Sequence, residues 1–321
     1  MRSEKNFISK VTFYMFAAVF FGGIAGCDSG NNRRQTTDGN RKESHRLSVF
    51  VSILPQKTFV QQIAGGRADV HVMVPPGRSP ATYELTPRQL TSLENADIYF
   101  SIGVPFERSW LSRIKRVNPE MTIIDTSRDI KLRSFTDHLS LSTAGDNKNQ
   151  QNHHKKGMKD PHIWLDPNLV KFQIRHIARA LKNYNPAKAQ FYDKNLTDFS
   201  KKLTELDQYI SKRLEGLENR TLLVYHPSWG YFADAYDLQQ IAIQHHGKEA
   251  GSKRLAQLIS YMRKHSLKTI FVQKQFSQAS AKAIAKSVNA EVVTLNPLPS
   301  DYISNMKHVA DTIARAAETI P

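Results

Sequence analysis

Two histidines stand where metal-binding chemistry could be done. His162 lies in Asp160-Pro161-His162-Ile163-Trp164-Leu165-Asp166-Pro167, and His226 closes an apolar run immediately before Pro227. Imidazole nitrogen suits zinc and its neighbours in the transition series. A residue that precedes proline is held extended, which restrains Asp160 and His226, and Pro161 fixes the approach to His162. Such stiffness sets ligand geometry before an ion arrives. Further histidines are less constrained. His153 and His154 sit in a polar tract and read either as a metal-capture loop or as solvated surface. His245 and His246 follow an apolar stretch ending at Ile243 and are candidates for the lining of the same site. His71, His176, His265 and His308 fall within or beside regular elements and are expected to be surface or capping residues.

The single cysteine, Cys27, closes an N-terminal segment in which Arg2, Lys5 and Lys10 precede an apolar run over 11–21. That run is too short to span a bilayer and reads as a secretory signal, residues 1–27. Small residues before Cys27 resemble the lipobox of bacterial lipoproteins. Cys27 is then the lipidated first residue of the mature chain, and Asp28 resembles an inner-membrane retention signal. With Cys27 committed to lipid, no disulfide and no thiolate ligand remain. Metal ligands must be imidazole, carboxylate or neutral oxygen.

The elements that position the histidines follow from hydrophobic periodicity. Residues 28–46 carry no apolar period and read as a flexible tether. From 47 onward strands alternate with helices: strands over 47–53, 70–74, 98–102 and 122–125, with helices over 56–64, 87–95 and 106–116. This is the pattern of an α/β lobe, a parallel sheet wound by right-handed crossovers, over 47–167. A polar, histidine-containing loop of about 131–159 interrupts it, long enough to be functional or disordered. Residues 168–217 read as linking helices. In their second part Leu196, Phe199, Leu203, Leu206 and Ile210 recur at mostly three or four residues, giving one long amphipathic strut over 186–216. A second α/β lobe, 218–321, repeats the first with strands over 221–225, 239–243, 269–273 and 291–295. Ligands of wound sheets collect beyond the carboxyl ends of the strands. That condition is met after the second strand (75–84), at the central segment around His162, at His226, and at Asn296-Pro297-Leu298.

These residues resemble the periplasmic metal-binding proteins of ABC importers for zinc and manganese, the cluster A-I or TroA-like group. The resemblance rests on Cys27, on Pro80-Ala81-Thr82-Tyr83-Glu84-Leu85-Thr86-Pro87, on the central segment and the long helix, on His226-Pro227-Ser228-Trp229-Gly230-Tyr231-Phe232, and on Leu295-Asn296-Pro297-Leu298. It implies that His162 and His226 are the second and third histidine ligands. The first histidine falls at Ala81, which cannot coordinate. The acidic ligand near the C-terminus falls at Asn296, whose amide oxygen coordinates only weakly and neutralises no charge. Three arrangements are open: completion by Glu84, Tyr83, Gln273, His245 or His246; a loosely held ion with water in the vacant places; or loss of metal binding.

The expected function is that of an extracytoplasmic, lipid-anchored, monomeric solute-binding protein. It captures Zn²⁺, with Mn²⁺ as alternative, and delivers it to an ABC permease. The formal charge of +16 is spread without the aromatic interleaving of a nucleic-acid module and suits a solvated face towards anionic lipid. Nucleic acid is therefore not an expected partner. No enzymatic activity is expected: a zinc hydrolase is the remote rival, but neither His-Glu-x-x-His nor Gly-x-Ser-x-Gly occurs. An adhesion or scaffold lipoprotein on a degenerate metal site is the second alternative.

Overall fold

The computed structural model describes residues 46–135, 159–244 and 248–318. Cys27, His138, His153, His154, His245 and His246 lie outside them. The first lobe runs β1 (Leu47–Val51), α1 (Leu54–Ala64), β2 (Ala68–Val72), α2 (Pro87–Leu93), β3 (Ile98–Ser101), α3 (Pro105–Val117) and β4 (Thr122–Asp125). A 3₁₀ turn at Ile163–Leu165 leads into α4 (Pro167–Tyr184) and, after a second 3₁₀ turn, α5 (Ala189–Arg213). The second lobe runs β5 (Thr221–Val224), α6 (Gly230–Ala235), β6 (Gln239–Ala242), α7 (Ser252–Lys264), β7 (Thr269–Val272), α8 (Ala279–Val288), β8 (Glu291–Thr294) and α9 (Tyr302–Glu318). The two four-stranded sheets have corresponding orders, β2-β1-β3-β4 and β6-β5-β7-β8, and every pairing is parallel. The α/β class and the two wound lobes expected from the alternation are what the chain forms.

Burial explains why these strands read as they do. The central strands β3 and β7 are buried at every residue, because helices cover both faces of a parallel sheet. Edge strands such as β2 and β4 alternate or open to solvent. Helix starts are written in proline: Pro87, Pro105 and Pro167 each open a helix, where a missing N–H costs nothing. Thr86 and Gln89 add a reciprocal capping box to α2, and Asp166 caps α4 through Asn168 N at 2.7 Å.

The expected strut over 186–216 is shorter as an α-helix. Pro186–Lys188 form the 3₁₀ turn, and the 25 residues of α5 span about 37 Å at 1.5 Å per residue. Phe199, Leu203, Leu206 and Ile210 are its buried stripe. Asn195 donates to the carbonyl of Ile63 on α1 at 2.9 Å, and Tyr209 to Asp311 on α9 at 2.9 Å. One helix therefore touches both lobes. His176, expected at the surface, is buried on α4, 3.0 Å from the carbonyl of Arg128 through Nε2. Its neighbours Ile174 and Ile177 are also buried, so the amphipathic face of α4 is wider than its aliphatic residues alone suggest.

The carboxyl ends of the first sheet are tied by two buried polar side chains. Gln56 accepts from Ser52 N at 3.0 Å and donates towards Phe100 O, Ser101 O and Thr126 Oγ1. Glu107, in the first turn of α3, accepts from Ile102 N at 3.0 Å, from Gly103 N at 2.7 Å and from Ser52 Oγ. Burial outweighs these donors and raises its pKa from the ordinary 4.5 to about 7. Since the folded value lies above the unfolded one, the Glu107 contribution is fully present below about pH 4.5 and is lost as pH rises through about 7. Glu107→Gln leaves Gly103 N facing an amide donor and is expected to be less stable at low pH. The wild-type advantage should then shrink by on the order of 2–3 kcal/mol between pH 4.5 and 8. Urea midpoints across that range check this; a constant difference would show that Glu107 is ionised throughout.

Candidate metal site at the interlobe cleft

His162 leads into the 3₁₀ turn that follows the first sheet, and His226 follows β5. Their ring centroids are 5.5 Å apart with the planes at 74°. Each ring is tied back through Nδ1. For His162 the acceptor is Asp160 Oδ1, 2.6 Å away, which also takes the His162 backbone N–H at 3.0 Å. For His226 it is the amide oxygen of Gln244, at 2.7 Å. A carboxylate or amide on Nδ1 fixes the tautomer and leaves the Nε2 lone pair for an ion. Phe276 stacks on His226 at 4.6 Å, and Trp164 lies 5.1 Å from the His162 ring. Desolvation in this setting, with the charge of His162 second, lowers the pKa of His226 to about 4. His226 therefore stays neutral, as a ligand must be.

A cleft of about 190 Å³ opens in front of the two rings. Ser79, Pro80, Ala81, Val104 and Pro105 line it from the first lobe, and Pro227, Ser228, Phe276, Pro297 and Leu298 from the second. Among the described residues its charged lining is Arg108, Lys159 and Arg254, with no Asp or Glu. Among the described residues no group of three or more His, Cys, Asp or Glu side chains could share an ion.

The other residues singled out by sequence lie elsewhere. Glu84 is exposed and accepts from Trp110 Nε1 at 3.2 Å. Tyr83 donates to Gln89 at 2.8 Å. Asn296 is exposed and accepts from Leu298 N at 3.0 Å. None of the three lines the cleft. Gln273 sits behind the site, donating to His226 O at 3.1 Å and to Ser228 Oγ at 3.0 Å. Ala81 does line the cleft, so this position faces the site with a methyl group.

Sequence reasoning missed the residues that support His162. Asp160 N donates to Arg133 O at 3.0 Å. Tyr231 donates to Asp160 O at 2.9 Å and accepts from Arg133 N at 3.0 Å. Arg133 pairs with Asp234 at 3.2 Å. Gly230 makes this possible: a Cβ there would stand 1.7 Å from Arg133 Nη1 and 2.9 Å from Asp160 Oδ2. Hydrogen bonds join the lobes beside the site, from Trp164 Nε1 to Pro297 O and from Thr58 Oγ1 to Ser300 O, both at 2.6 Å.

Two wound α/β lobes braced by helices, with paired imidazoles across the cleft, are the build of a solute-binding protein. The chain belongs to the ZnuA family, described as the periplasmic component A of the zinc-uptake complex, whose pattern matches residues 49–316. A solved structure titled as the crystal structure of ZnuA superposes with a TM-score of 0.77 at 37% identity, over 85% of this chain and 100% of that one. The putative metal-binding protein of Chlamydia muridarum is 29% identical over 269 residues, 83% of this chain and 90% of its own length. The zinc-binding lipoprotein AdcA of Streptococcus pneumoniae is 26% identical over 267 residues, 81% of this chain but 52% of AdcA. The chain thus spans about half the length of the AdcA relatives it matches. The laminin-binding protein of Streptococcus agalactiae shares the fold, with a TM-score of 0.73 at 21% identity.

The spacing around Gly230 can be tested directly. Arg133 can swing away from an added methyl, but Asp160 is 1% exposed and cannot. Gly230→Ala is expected to cost about 1–3 kcal/mol of stability and to weaken the Asp160–His162 hydrogen bond. The ring ¹⁵N resonances of His162 report the second effect; a folded variant with unchanged resonances would show that Asp160 does not need this space.

Proposed function

We propose that the chain captures a divalent transition metal, Zn²⁺ before Mn²⁺, between His162 and His226 and hands it to an ABC permease. The observation that carries this is the pair of rings facing one another across the cleft, each with Nδ1 already engaged and Nε2 left for the ion. Imidazole suits zinc, whereas manganese prefers more carboxylate oxygen than the described lining of the cleft offers. The relatives agree in kind: AdcA is called zinc-binding, and a Mn-bound periplasmic protein from Candidatus Liberibacter asiaticus shares the fold. Among the described residues two imidazole nitrogens face the cleft, fewer than the three or four ligands of ordinary zinc sites. The cargo is therefore exchangeable, as a carrier requires. Cys27 carries the lipid anchor, residues 28–46 the tether, and His153-His154 act as a capture tract at the extracytoplasmic face. The protein acts as a monomer, binds and releases without turnover, and recruits no nucleic acid.

Calorimetric titration of the full chain with Zn²⁺ and Mn²⁺ tests the central claim. Zinc is expected to bind more tightly than about micromolar and more tightly than manganese, with His162→Ala and His226→Ala each weakening it at least about tenfold. Absence of binding by both ions would sink the metal-carrier reading. The anchor is tested separately: Cys27→Ala should move the protein from the detergent phase to the aqueous phase on phase partition, and a variant that stays with detergent overturns lipidation at that residue.

A further inference from the structure

We propose that α7 and α8, the outer helical layer of the second lobe, form a docking face for an anionic phospholipid surface. The positive charge of the chain is concentrated here: residues 252–290 carry eight Lys and Arg and no Asp or Glu. The segments outside the described residues also hold more Lys and Arg than Asp and Glu. The chain therefore has no surplus of acid with which to cover this face.

Packing places these two helices together on one side of the second sheet. Successive strand residues point to opposite faces. Leu222, Val224 and Phe271 join the core that includes residues of α5 and α9, whereas Leu223, Ile270 and Val272 join a second core. That second core is closed by Leu258 and Met262 of α7 and by Ala281, Ile284 and Ala285 of α8. Arg263 of α7 donates to Ser287 O of α8 at 3.1 Å, which sets the carboxyl ends of the helices side by side. Lys253, Lys264, Lys268, Lys274, Lys282 and Lys286 are all exposed. Lys282 and Lys286, one turn apart, share a face of α8.

Charge on the other side of the lobe is organised differently. On α5 and α9 cations are interleaved with acids: Lys194 pairs with Asp198, Lys201 with Glu205, and Arg213 with Asp311 and Glu318. The acids that flank the cationic stretch are engaged, Glu249 with Tyr225 and Ser280, and Glu291 with Thr269. Lysine is a compact, hydrated charge on a flexible stem. It suits the diffuse field of lipid head groups, where each cation adds to binding without a fixed partner. A protein partner would need an apolar or aromatic centre. The large apolar side chains of α7 and α8 pack into the core beneath, and the exposed large hydrophobic residue among those described is Tyr209, on α5. A member of a periplasmic family works beside membranes.

Co-sedimentation of the full chain carrying Cys27→Ala, which removes any lipid anchor, tests this with vesicles of phosphatidylcholine, alone or with about one third phosphatidylglycerol. At about 0.1 M salt, where charges act over about 10 Å, binding is expected to be at least about tenfold stronger on the anionic vesicles. Lys282→Glu with Lys286→Glu should lower that binding at least about tenfold, since each lysine near such a surface contributes about fivefold, and should leave binding to phosphatidylcholine unchanged. Lys201→Glu with Lys212→Glu makes the same change in net charge on α5 and should lower it less than about twofold. The milder Lys282→Gln with Lys286→Gln, expected to lower it at least about fivefold, keeps the face testable if charge reversal disturbs α8. Equal losses from the α8 and α5 reversals would reduce the effect to net charge and overturn the docking face. Equal binding to both kinds of vesicle overturns it outright, as does an anionic preference that neither α8 variant lowers. No metal is needed in the assay, so its outcome is distinct from that of the zinc titration.

Discussion

Asp160 is the group on which both sides of the cleft depend. One carboxylate oxygen fixes the His162 ring and its backbone. The backbone of the same residue ties the neighbouring chain at Arg133 to Tyr231 of the other lobe. Its Oδ1 takes two hydrogen bonds from His162, whereas Oδ2 is buried without a hydrogen-bond partner among the described residues. The close approach permitted by Gly230 lets it sit there. One residue thus links the orientation of the His162 ring to one of the contacts between the lobes.

The two lobes solve the same problem with different chemistry. Behind the first-lobe wall, Gln56 and the buried acid Glu107 gather the carboxyl ends of β1, β3 and β4. Behind the second, Gln240, Gln244 and Gln273 hold Trp229, the His226 ring and the His226 backbone. Neutral amides around His226 keep it from acquiring a compensating charge, so burial prevails and the ring is neutral over a wide range of pH. His162 has a carboxylate behind it instead. The two rings that face the cleft are thus held from behind by different chemistry, a carboxylate and an amide.

Much of the scaffold is legible in the chain because the signals are local. Alternating runs mark the strands, and prolines at 87, 105 and 167 mark helix starts to within a residue or two. His162 and His226 stand out because proline beside or after a strand-end histidine is an unusual local pattern. The supports of those two rings are not legible in that way. Gln244 is less conspicuous than the adjoining His245-His246, yet it is the residue that meets the His226 ring. Arg133 and Gly230 come together only through the packing of the lobes. Asn296 is the opposite case: an asparagine that bonds the backbone two residues on is ordinary local chemistry, and its bond to Leu298 N could have been anticipated without the fold.

The helix α5 crosses from one lobe to the other as a single uninterrupted rod, and hydrogen bonds close the lobes on one another at Trp164 and Thr58. A rod of fixed pitch acts as a gauge. Its length spans both lobes, so the spacing of the two walls is written into the number of residues in one helix and not only into the side chains that line the cleft.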